Sequence, residues 1–571
     1  MRLDKVPRIV DLPRGRHQFV LADGTPFFLR AAELQNSSFS SSQYMDKIWP
    51  ILTAQHINLA FGPATWEDIE PEEGQFFWEE LDRLVEGARK HEIKLVILWF
   101  GAWKNGMSNY APAWVKRDPK RFPRSRVQPT PGSPSRMVEV LSPFSKSTLD
   151  ADTKAFEALM AHLKCVDGDQ GTVIMVQVEN EVGLLGDSRD RSPIANTVFD
   201  SPVPEEVIAK LSLAAASGNL KELMKENIPC LGDARLLLQS KGKSWSDVFG
   251  VSMYTDELFM AYHYAKYINH VASAGQRIYN LPMFTNGWLR TSNSAPSSTA
   301  GGGAHPGEYP SGGPADSVID IYHLFAPSLR FVSPDIYLVD YAEIFKAYKH
   351  NDQPLFVPEH RRDEYGALRI WQAIGDYDAL AMGPFGIDTL DPLTSPWTKH
   401  YGLLSKIEGF ILEAWQKGSL VTGFYFDRFD VGQPDPSVPK EVNMGDWRLK
   451  IQRAATFGGG HPEPGYGMII QRADDSFLLI GEGYMVNFRS LKTEAVFTGI
   501  LEFDEMDTVK GKPKEMRKIR RLNGDEIKSG RAAVMPTLGA GPAYGDFPIA
   551  ITIPGETGMA LCTVYSLSDC L

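Results

Sequence analysis

A (β/α)8 barrel followed by a β-rich, sandwich-like module is the fold class predicted by three features of the sequence. Short apolar runs of the kind that form buried parallel strands recur through the first 400 or so residues. Amphipathic helical stretches separate them. After about residue 410 the texture changes to β-formers bunched between Gly, Asp, Asn and Pro turns. Strand, helix, strand repeated about eight times is the pattern of a closed parallel barrel, with a doubly wound sheet as competitor.

The apolar runs fall at residues 27–32, 58–62, 94–100, 172–178, 283–285, 336–338, 355–357 and, more weakly, 381–387. Of the helices between them the clearest is WEELDRLVEGARKH at 78–91, where Leu81, Leu84, Val85 and Ala88 share one face at three-to-four spacing. Residues 149–163 have the same character. Two connections are too long for simple loops, at 182–280 and 290–317. The first carries helical segments at 205–215 and 258–272. The second (SNSAPSSTAGGGAHPGEYPSGGP and its flanks) is rich in Ser, Gly and Pro and predicts an extended or mobile loop. The barrel is therefore placed at 1–410. A β-rich domain at 411–571 follows, drawing on 423–429, 467–471, 476–488 and 550–555; its texture is that of a sandwich.

Charge and composition exclude several classes. The 571 residues hold 59 Lys and Arg against 71 Asp and Glu, a formal charge of −12, so a nucleic-acid partner is not expected. The one basic run, KGKPKEMRKIRR at 510–521, lies between acidic stretches and reads as a solvated hairpin. Four cysteines, Cys165, Cys230, Cys562 and Cys570, are too few and scattered for a disulfide framework or zinc motif, though Cys562 and Cys570 are near enough in sequence to bridge. No apolar stretch has the length of a membrane span and the first 18 residues lack the core of a secretory signal, so no membrane partner and a cytoplasmic location are expected. Self-association is left open. The 12 Trp, 20 Tyr and 30 Phe are a rich supply of flat rings, which sugar clefts use as stacking platforms and large cores use for packing.

The sharpest local feature is TVIMVQVENEVG at 172–183. A buried strand runs directly into Gln177, Glu179, Asn180 and Glu181. Barrel strands end at the active-site face, so these groups are expected in a cleft. A second strand, LFVPEH at 355–360, ends in Glu359. Two carboxylates from different strands at one barrel mouth are what glycoside hydrolysis needs: one protonated to serve the leaving oxygen, the other ionised to attack or to activate water.

The segment Glu179–Asn180–Glu181 resembles the Gln-x-Glu-Asn-Glu motif of glycoside hydrolase family 35, the β-galactosidases, a family of retaining (β/α)8 glycosidases related to family 42. The resemblance implies Glu181 as acid/base, Asn180 as the amide holding the sugar 2-hydroxyl, and Glu359 as nucleophile, with the carboxyl groups about 5–5.5 Å apart. TWEDIEPEEG at 65–74 is similar to the Trp-x-x-x-Glu-Pro-x-x-Gly stretch after strand two of families 35 and 42, placing Trp66 near the sugar and Glu70 and Pro71 in a turn. WFGAWKNGMSNYAPAW at 99–114 is similar to the substrate loop after strand three. It departs where family 35 carries an acidic residue, reading Ala102, Trp103, Lys104, Asn105. RAAELQNSS at 30–38 looks like that of a divergent branch with a β-rich C-terminal domain.

Further cleft candidates are Glu33 at the end of strand one, Asn105, Asn286 and Trp288 after strand five, Tyr337 near the end of strand six, and Trp397 after strand eight. Glu33 binds a hydroxyl or is structural, Trp288 and Trp397 stack on sugar or pack, and Arg30 steadies the nucleophile's charge or ties strands together. Tyr337 is placed to hydrogen-bond Glu359, as a tyrosine does in related families. No His-x-His pair, phosphate loop or Gly-x-Ser-x-Gly elbow is present. No metal or cofactor is expected. The expected activity is that of a retaining exo-acting β-glycosidase, a β-galactosidase first. The alternatives are a β-glucosidase, an enzyme of glycosylated natural products, or a catalytically silent sugar-binding protein.

Overall fold

A computed structural model describes residues 6–128, 130, 132–291, 302–430, 433–454, 463–538 and 552–569. Eight parallel strands form one sheet: β1 (Ala31–Glu33), β2 (Leu59–Thr65), β3 (Lys94–Lys104), β4 (Val173–Asn180), β5 (Met283–Trp288), β6 (Phe331–Ile336), β7 (Phe356–His360) and β8 (Ala381–Pro384). They pair in chain order, and a parallel bridge from Glu33 to Phe385 joins the two edges into a barrel. Helices α1 (Ser42–Ala54), α2 (Glu79–Lys90), α3 (Lys146–Asp167), α4 (Met253–Ile278), α5 (Ile319–Phe325), α6 (Tyr341–Tyr348), α7 (Glu364–Tyr377) and α8 (Pro396–Lys417) follow the strands in turn. The predicted face of α2 is the buried one: Leu81, Leu84, Val85 and Ala88.

Inward residues near the starts of the strands make a floor of Ala31, Leu59, Phe284, Phe331, Phe356 and Ala381, with Phe61 and Leu98 above. Phe284, Phe331 and Phe356 meet pairwise at ring centroids 5.0–5.1 Å apart. The hairpin Arg8–Leu12 and Arg16–Val20 adds Phe19 to the same cluster. The barrel is thus closed below by rings and left open above.

Three expectations are corrected. Strand six is Phe331–Ile336 and not 336–338, because Val332 and Phe331 pair with β5 while Leu338 is exposed. Strand one is short, Ala31–Glu33, since Phe27 is instead tied to Phe19. The Gly-rich stretch before residue 317 is not an extended loop over its described part, 302–317. Tyr309, Ser311 and Ala315 are buried there, Leu184 and Ser311 exchange backbone hydrogen bonds, and the Tyr309 hydroxyl donates to Glu257 at 2.6 Å. Its glycines allow this: a Cβ on Gly312 would strike the α4 backbone at Met260, so low hydrophobicity here reflects close backbone packing. Residues 292–301 lie outside the described residues.

The C-terminal part is a sandwich. A six-stranded sheet contains β9 (Val421–Phe426), β12 (Gly465–Ala473), β13 (Ser476–Glu482), β15 (Ala495–Val509), β16 (Lys512–Arg521) and β18 (Met559–Ser568), in the order β9-β12-β13-β18-β15-β16. A four-stranded sheet, β10-β11-β14-β17, holds β10 (Lys440–Met444), β11 (Trp447–Arg453), β14 (Tyr484–Ser490) and β17 (Ala533–Met535). Phe424, Ile469, Leu479 and Phe503 of the first meet Met444, Leu449, Val486 and Met535 of the second in one core. The basic run forms the edge strand β16, paired with acidic β15 through Arg517–Asp507 and Arg520–Glu505. The sandwich docks on α7: Thr422 Oγ1 donates to Asp376 at 2.9 Å and Arg369 pairs with Asp427. Cys562 is buried in this core, and Cys570 lies outside the described residues. Among the described residues no helix is long and apolar enough to cross a membrane.

Candidate active site

The ends of the strands carry the chemistry, and their pairing register sets its level. Lys104 of β3 is opposite Asn180 of β4, Asp335 of β6 is opposite both Trp288 of β5 and Glu359 of β7, and Glu33 closes the ring. Above them lies a cleft of about 430 Å3, lined by Gln35, Asn36, Lys104, Asn105, Glu181, Trp288, Asp335, Tyr337, Glu359 and Phe385 among others.

The ENE segment is split by its backbone. Strict alternation would send Glu179 and Glu181 to one face. Instead Glu179 (φ 60°) and Glu181 (φ 44°) both take left-handed conformations that only a well-supported chain tolerates in a non-glycine residue. The Glu179 side chain leaves the barrel interior. It accepts from the Ala102 and Trp103 N–H groups at 3.1 and 2.7 Å and hydrogen-bonds Asp152 of α3. Asp152 in turn accepts from Trp99 Nε1 and the Tyr267 hydroxyl, each at 2.9 Å. Burial, reinforced by the Asp152 charge, holds the Glu179 carboxyl well above the ordinary carboxylate range, and burial raises Asp152 as well, so the pair shares a proton. Gly101 is required beside this pair, because a Cβ there would collide with Trp99, Asp152 and Glu179 together. The result is a bulge at residues 100–103 that carries Lys104 to the cleft.

Asn180 and Glu181 stay on the cleft side. Asn180 Oδ1 accepts from Gln177 Nε2 at 2.9 Å and Asn286 Nδ2 at 3.1 Å, and its amide donates to Asn105 Oδ1 at 3.2 Å. Asn286 is the hub: its Oδ1 receives the Glu181 backbone N–H at 3.1 Å, while its Nδ2 also donates to Asp335 at 2.7 Å. Burial and then the Glu359 charge push the Glu181 carboxyl up to about 7, against the opposing pull of Lys104 and a hydrogen bond with Asp335. Burial, with Glu359 and Glu181 beside it, holds Asp335 well above the usual range too. Burial and Glu359 do the same to Glu33. Glu359 Oε1 accepts a hydrogen bond from the Tyr337 hydroxyl. Behind it His360 is fully buried and held down at about 3, hence neutral.

Glu33, Asn105, Asn180, Glu181, Asn286, Trp288, Tyr337 and Glu359 therefore assemble about one cleft. Trp66 and Trp397 do not. Both are fully buried; Trp66 Nε1 donates to Glu70 at 2.9 Å and Trp397 Nε1 to the Arg362 carbonyl at 2.8 Å, so each packs a wall and offers no face to a sugar. Glu70 also accepts from Gly74 N–H at 2.7 Å, the expected turn. Arg30 turns away to Glu408 of α8. Of the charged groups in the cleft, Asp335 escaped the sequence reading, and Lys104 entered it only as a departure from the family pattern; Gln35, Asn36 and Phe385 were not singled out either. A signal for Asp335 existed: Phe331-Val-Ser-Pro-Asp335 and Phe356-Val-Pro-Glu359 share a Phe-Val start and a Pro-acid end.

Outside the cleft, Asp320, His323 and His350 bring ligand-type atoms within 4.8 Å of one another. They are engaged among themselves and with neighbours: His350 with Asp320 at 2.7 Å and His323 with Gln353 at 3.1 Å.

An eight-stranded parallel barrel with a carboxyl-lined cleft at the C-terminal ends of its strands is thus the class of protein that fold and site define. Residues 40–206 match the glycoside hydrolase family 42 domain, described as beta-galactosidase, and residues 397–534 match a domain of unknown function, DUF5597. The first match relates the barrel to glycoside hydrolases of family 42, the relative of the family 35 to which the motifs were compared. No curated protein matches the chain. Similar solved structures include the beta-galactosidase from Bacillus circulans sp. alkalophilus (14% identity, TM-score 0.44), with 68% of this chain and 57% of that one covered. Another is the beta-galactosidase from the psychrophilic Marinomonas ef1 (11% identity, TM-score 0.42), with 68% and 60% covered. The catalytic domain of beta-amylase from Paenibacillus polymyxa matches at 13% identity and TM-score 0.41, with 65% and 95% covered. The chain thus spans under two thirds of the length of these two galactosidases.

Proposed function

We propose that the protein is a retaining, exo-acting β-glycosidase, a β-galactosidase first, acting without metal or cofactor. The observation that carries the reading is that Glu181 and Glu359, from the ends of different strands, line one cleft in different settings. Glu181 is buried and raised to about 7, so it holds a proton near neutrality. Glu359 accepts the hydrogen bond of the Tyr337 hydroxyl on Oε1, which fixes the orientation of the carboxyl group that is to attack.

In the first step Glu359 attacks the anomeric carbon while Glu181 delivers its proton to the departing glycosidic oxygen. The C–O bond to the aglycone breaks and a glycosyl ester forms on Glu359. Glu181, now a carboxylate, takes a proton from water, whose oxygen displaces Glu359 from the anomeric carbon. In this reading Asn180 meets the sugar 2-hydroxyl, which its hydrogen bonds from Gln177 and Asn286 support by fixing the amide. Lys104 at the position where family 35 carries an acid favours keeping a second reading open, a retaining β-glycosidase for another glycone such as glucose.

The test is hydrolysis of a panel of aryl β-glycosides by wild type and by Glu359→Ala with added azide. Galactoside cleavage that is lost in the variant and returns as a glycosyl azide supports reaction and nucleophile together. Cleavage of another sugar keeps the mechanism and replaces the specificity. Folded wild type that cleaves no glycoside would leave a sugar-binding protein instead.

A further inference from the structure

Among the described residues that line the cleft, Lys104 is the one cation in a ring of acids, and no described residue takes its protons. It is 5% exposed and lines the cleft, yet its ammonium has no hydrogen bond and no ion pair within 4 Å among the described residues; Phe100 lies beneath it with Nζ 4.7 Å from the ring centroid. Its backbone is pinned by reciprocal hydrogen bonds with Met107 at 2.8 and 3.0 Å, and the bulge held by Glu179 fixes its approach. Lys104 brings its three donors to the cleft with no acceptor for them among the described residues, and the hydroxyl oxygens of a bound ligand are acceptors that can take them.

The surroundings define which acceptors. Among the described residues, Glu33 Oε1, Glu359 Oε2 and Trp288 Nε1 are buried without hydrogen-bond partners. Unpartnered acceptors and a donor thus gather about the same cleft as the Lys104 ammonium, and a hydroxyl, which accepts and donates at once, can satisfy one of each. A carboxylate on the sugar would instead be a fifth acidic group beside Glu33, Glu181, Asp335 and Glu359. Burial pulls the Lys104 ammonium down, but those four carboxyls, Glu359 foremost, outweigh it and keep it charged.

We propose that Lys104 is a specificity-determining residue, its ammonium donating to hydroxyl oxygens of a neutral glycone seated between Glu181 and Glu359. The proposal rests on the glycosidase reading and deepens it. Lys104 does in this chain what an acidic residue does at the corresponding place in family 35, with the direction of hydrogen bonding reversed: the protein donates and the sugar accepts.

The experiment couples the residue to the substrate. Hydrolysis of the best neutral aryl β-glycoside is compared with that of its monodeoxy analogues, in wild type, Lys104→Met and Lys104→Gln. Removing the hydroxyl that Lys104 holds is expected to cost wild type about 10- to 100-fold in kcat/KM, the worth of a hydrogen bond to a charged group. In Lys104→Met the same deletion is expected to cost little, while the other deoxy positions keep their wild-type penalties. Lys104→Gln, which keeps a donor and most of the length, should retain part of the discrimination and covers the case in which the Met variant does not fold.

Equal deoxy penalties in wild type and both variants would overturn the proposal. So would a uniform loss on all substrates with an upward shift of the acid limb, the mark of a residue that only steadies Glu359. Faster hydrolysis of an aryl uronide than of neutral sugars would overturn the neutral glycone. Wild type that hydrolyses no glycoside would sink the glycosidase reading itself, a different outcome from all of these.

Discussion

The floor and the mouth of the barrel are built by the same strands and obey opposite rules. At the floor Phe284, Phe331 and Phe356 stand at or next to the start of their strands and pack ring against ring, Phe356 also against Phe61, in one apolar cluster. Two to four residues on, the same strands present Asn286, Asp335 and Glu359, where Glu359 Oε2 and Asp335 Oδ1 are buried with no hydrogen-bond donor among the described residues. The floor has spent all its contacts on itself. The mouth withholds some of its own for something that enters, and it bears the cost in raised carboxyl pKa values and left-handed backbone at Asn105, Glu179 and Glu181. Stability belongs to one end and chemistry to the other, and substitutions should separate them.

The largest expected effect is at the mouth. Glu359→Ala should lower kcat/KM about 10^4-fold or more on the best glycoside with the fold intact by circular dichroism. Thermal unfolding should show no loss of stability, since the change removes a buried, partly unpartnered carboxylate. Next is the floor. Phe284→Ala should cost about 3–5 kcal/mol of stability, seen in denaturant melts, with turnover per folded molecule nearly unchanged. If that substitution removed activity without lowering stability, the division between the two ends would be wrong.

Tyr337→Phe removes the hydroxyl on Glu359 Oε1 and should lower kcat about 10- to 100-fold while leaving the melt close to wild type. Glu181 gives a pH signature. Its folded pKa of about 7 is above the ordinary 4.5, so the folded state binds more protons than the unfolded one between those values. Stability from this group is therefore fully present below about pH 4.5 and lost as pH rises through 7, at up to about 1.4 kcal/mol per pH unit. Glu181→Gln should gain on wild type in denaturant melts as pH rises from 5 to 8, and hydrolysis by wild type should fall on the alkaline side of about 7. The smallest effect is at a wall: Trp66→Phe loses the bond to Glu70 and should cost about 1 kcal/mol with KM unchanged.

The same contrast explains what could be read from the sequence. Strands β2 to β4 were legible because their apolar runs are continuous and their ends carry clusters of polar residues, and α2 because its buried face keeps helical spacing. Strand β6 was placed late because Ser333 and Pro334 interrupt the apolar run, and this concealed Asp335 at its end. Lys104 was visible only as a departure from a family pattern; its role depends on a bulge set by Glu179 and Asp152, which are 27 residues apart and whose contact with Gly101 no local pattern announces. Trp66 and Trp397 went the other way. A tryptophan beside a cleft and one inside its wall look alike in sequence, and only the buried indole N–H bonds to Glu70 and Arg362 tell them apart.

Trapping the intermediate tests the central claim most directly. Incubation with an activated 2-deoxy-2-fluoro β-glycoside of the sugar that the panel identifies, followed by peptide mass spectrometry, should place one fluoroglycosyl group on Glu359, with activity lost in step with labelling. A label on any other carboxylate, or hydrolysis that releases the inverted anomer with no label at all, would contradict the account.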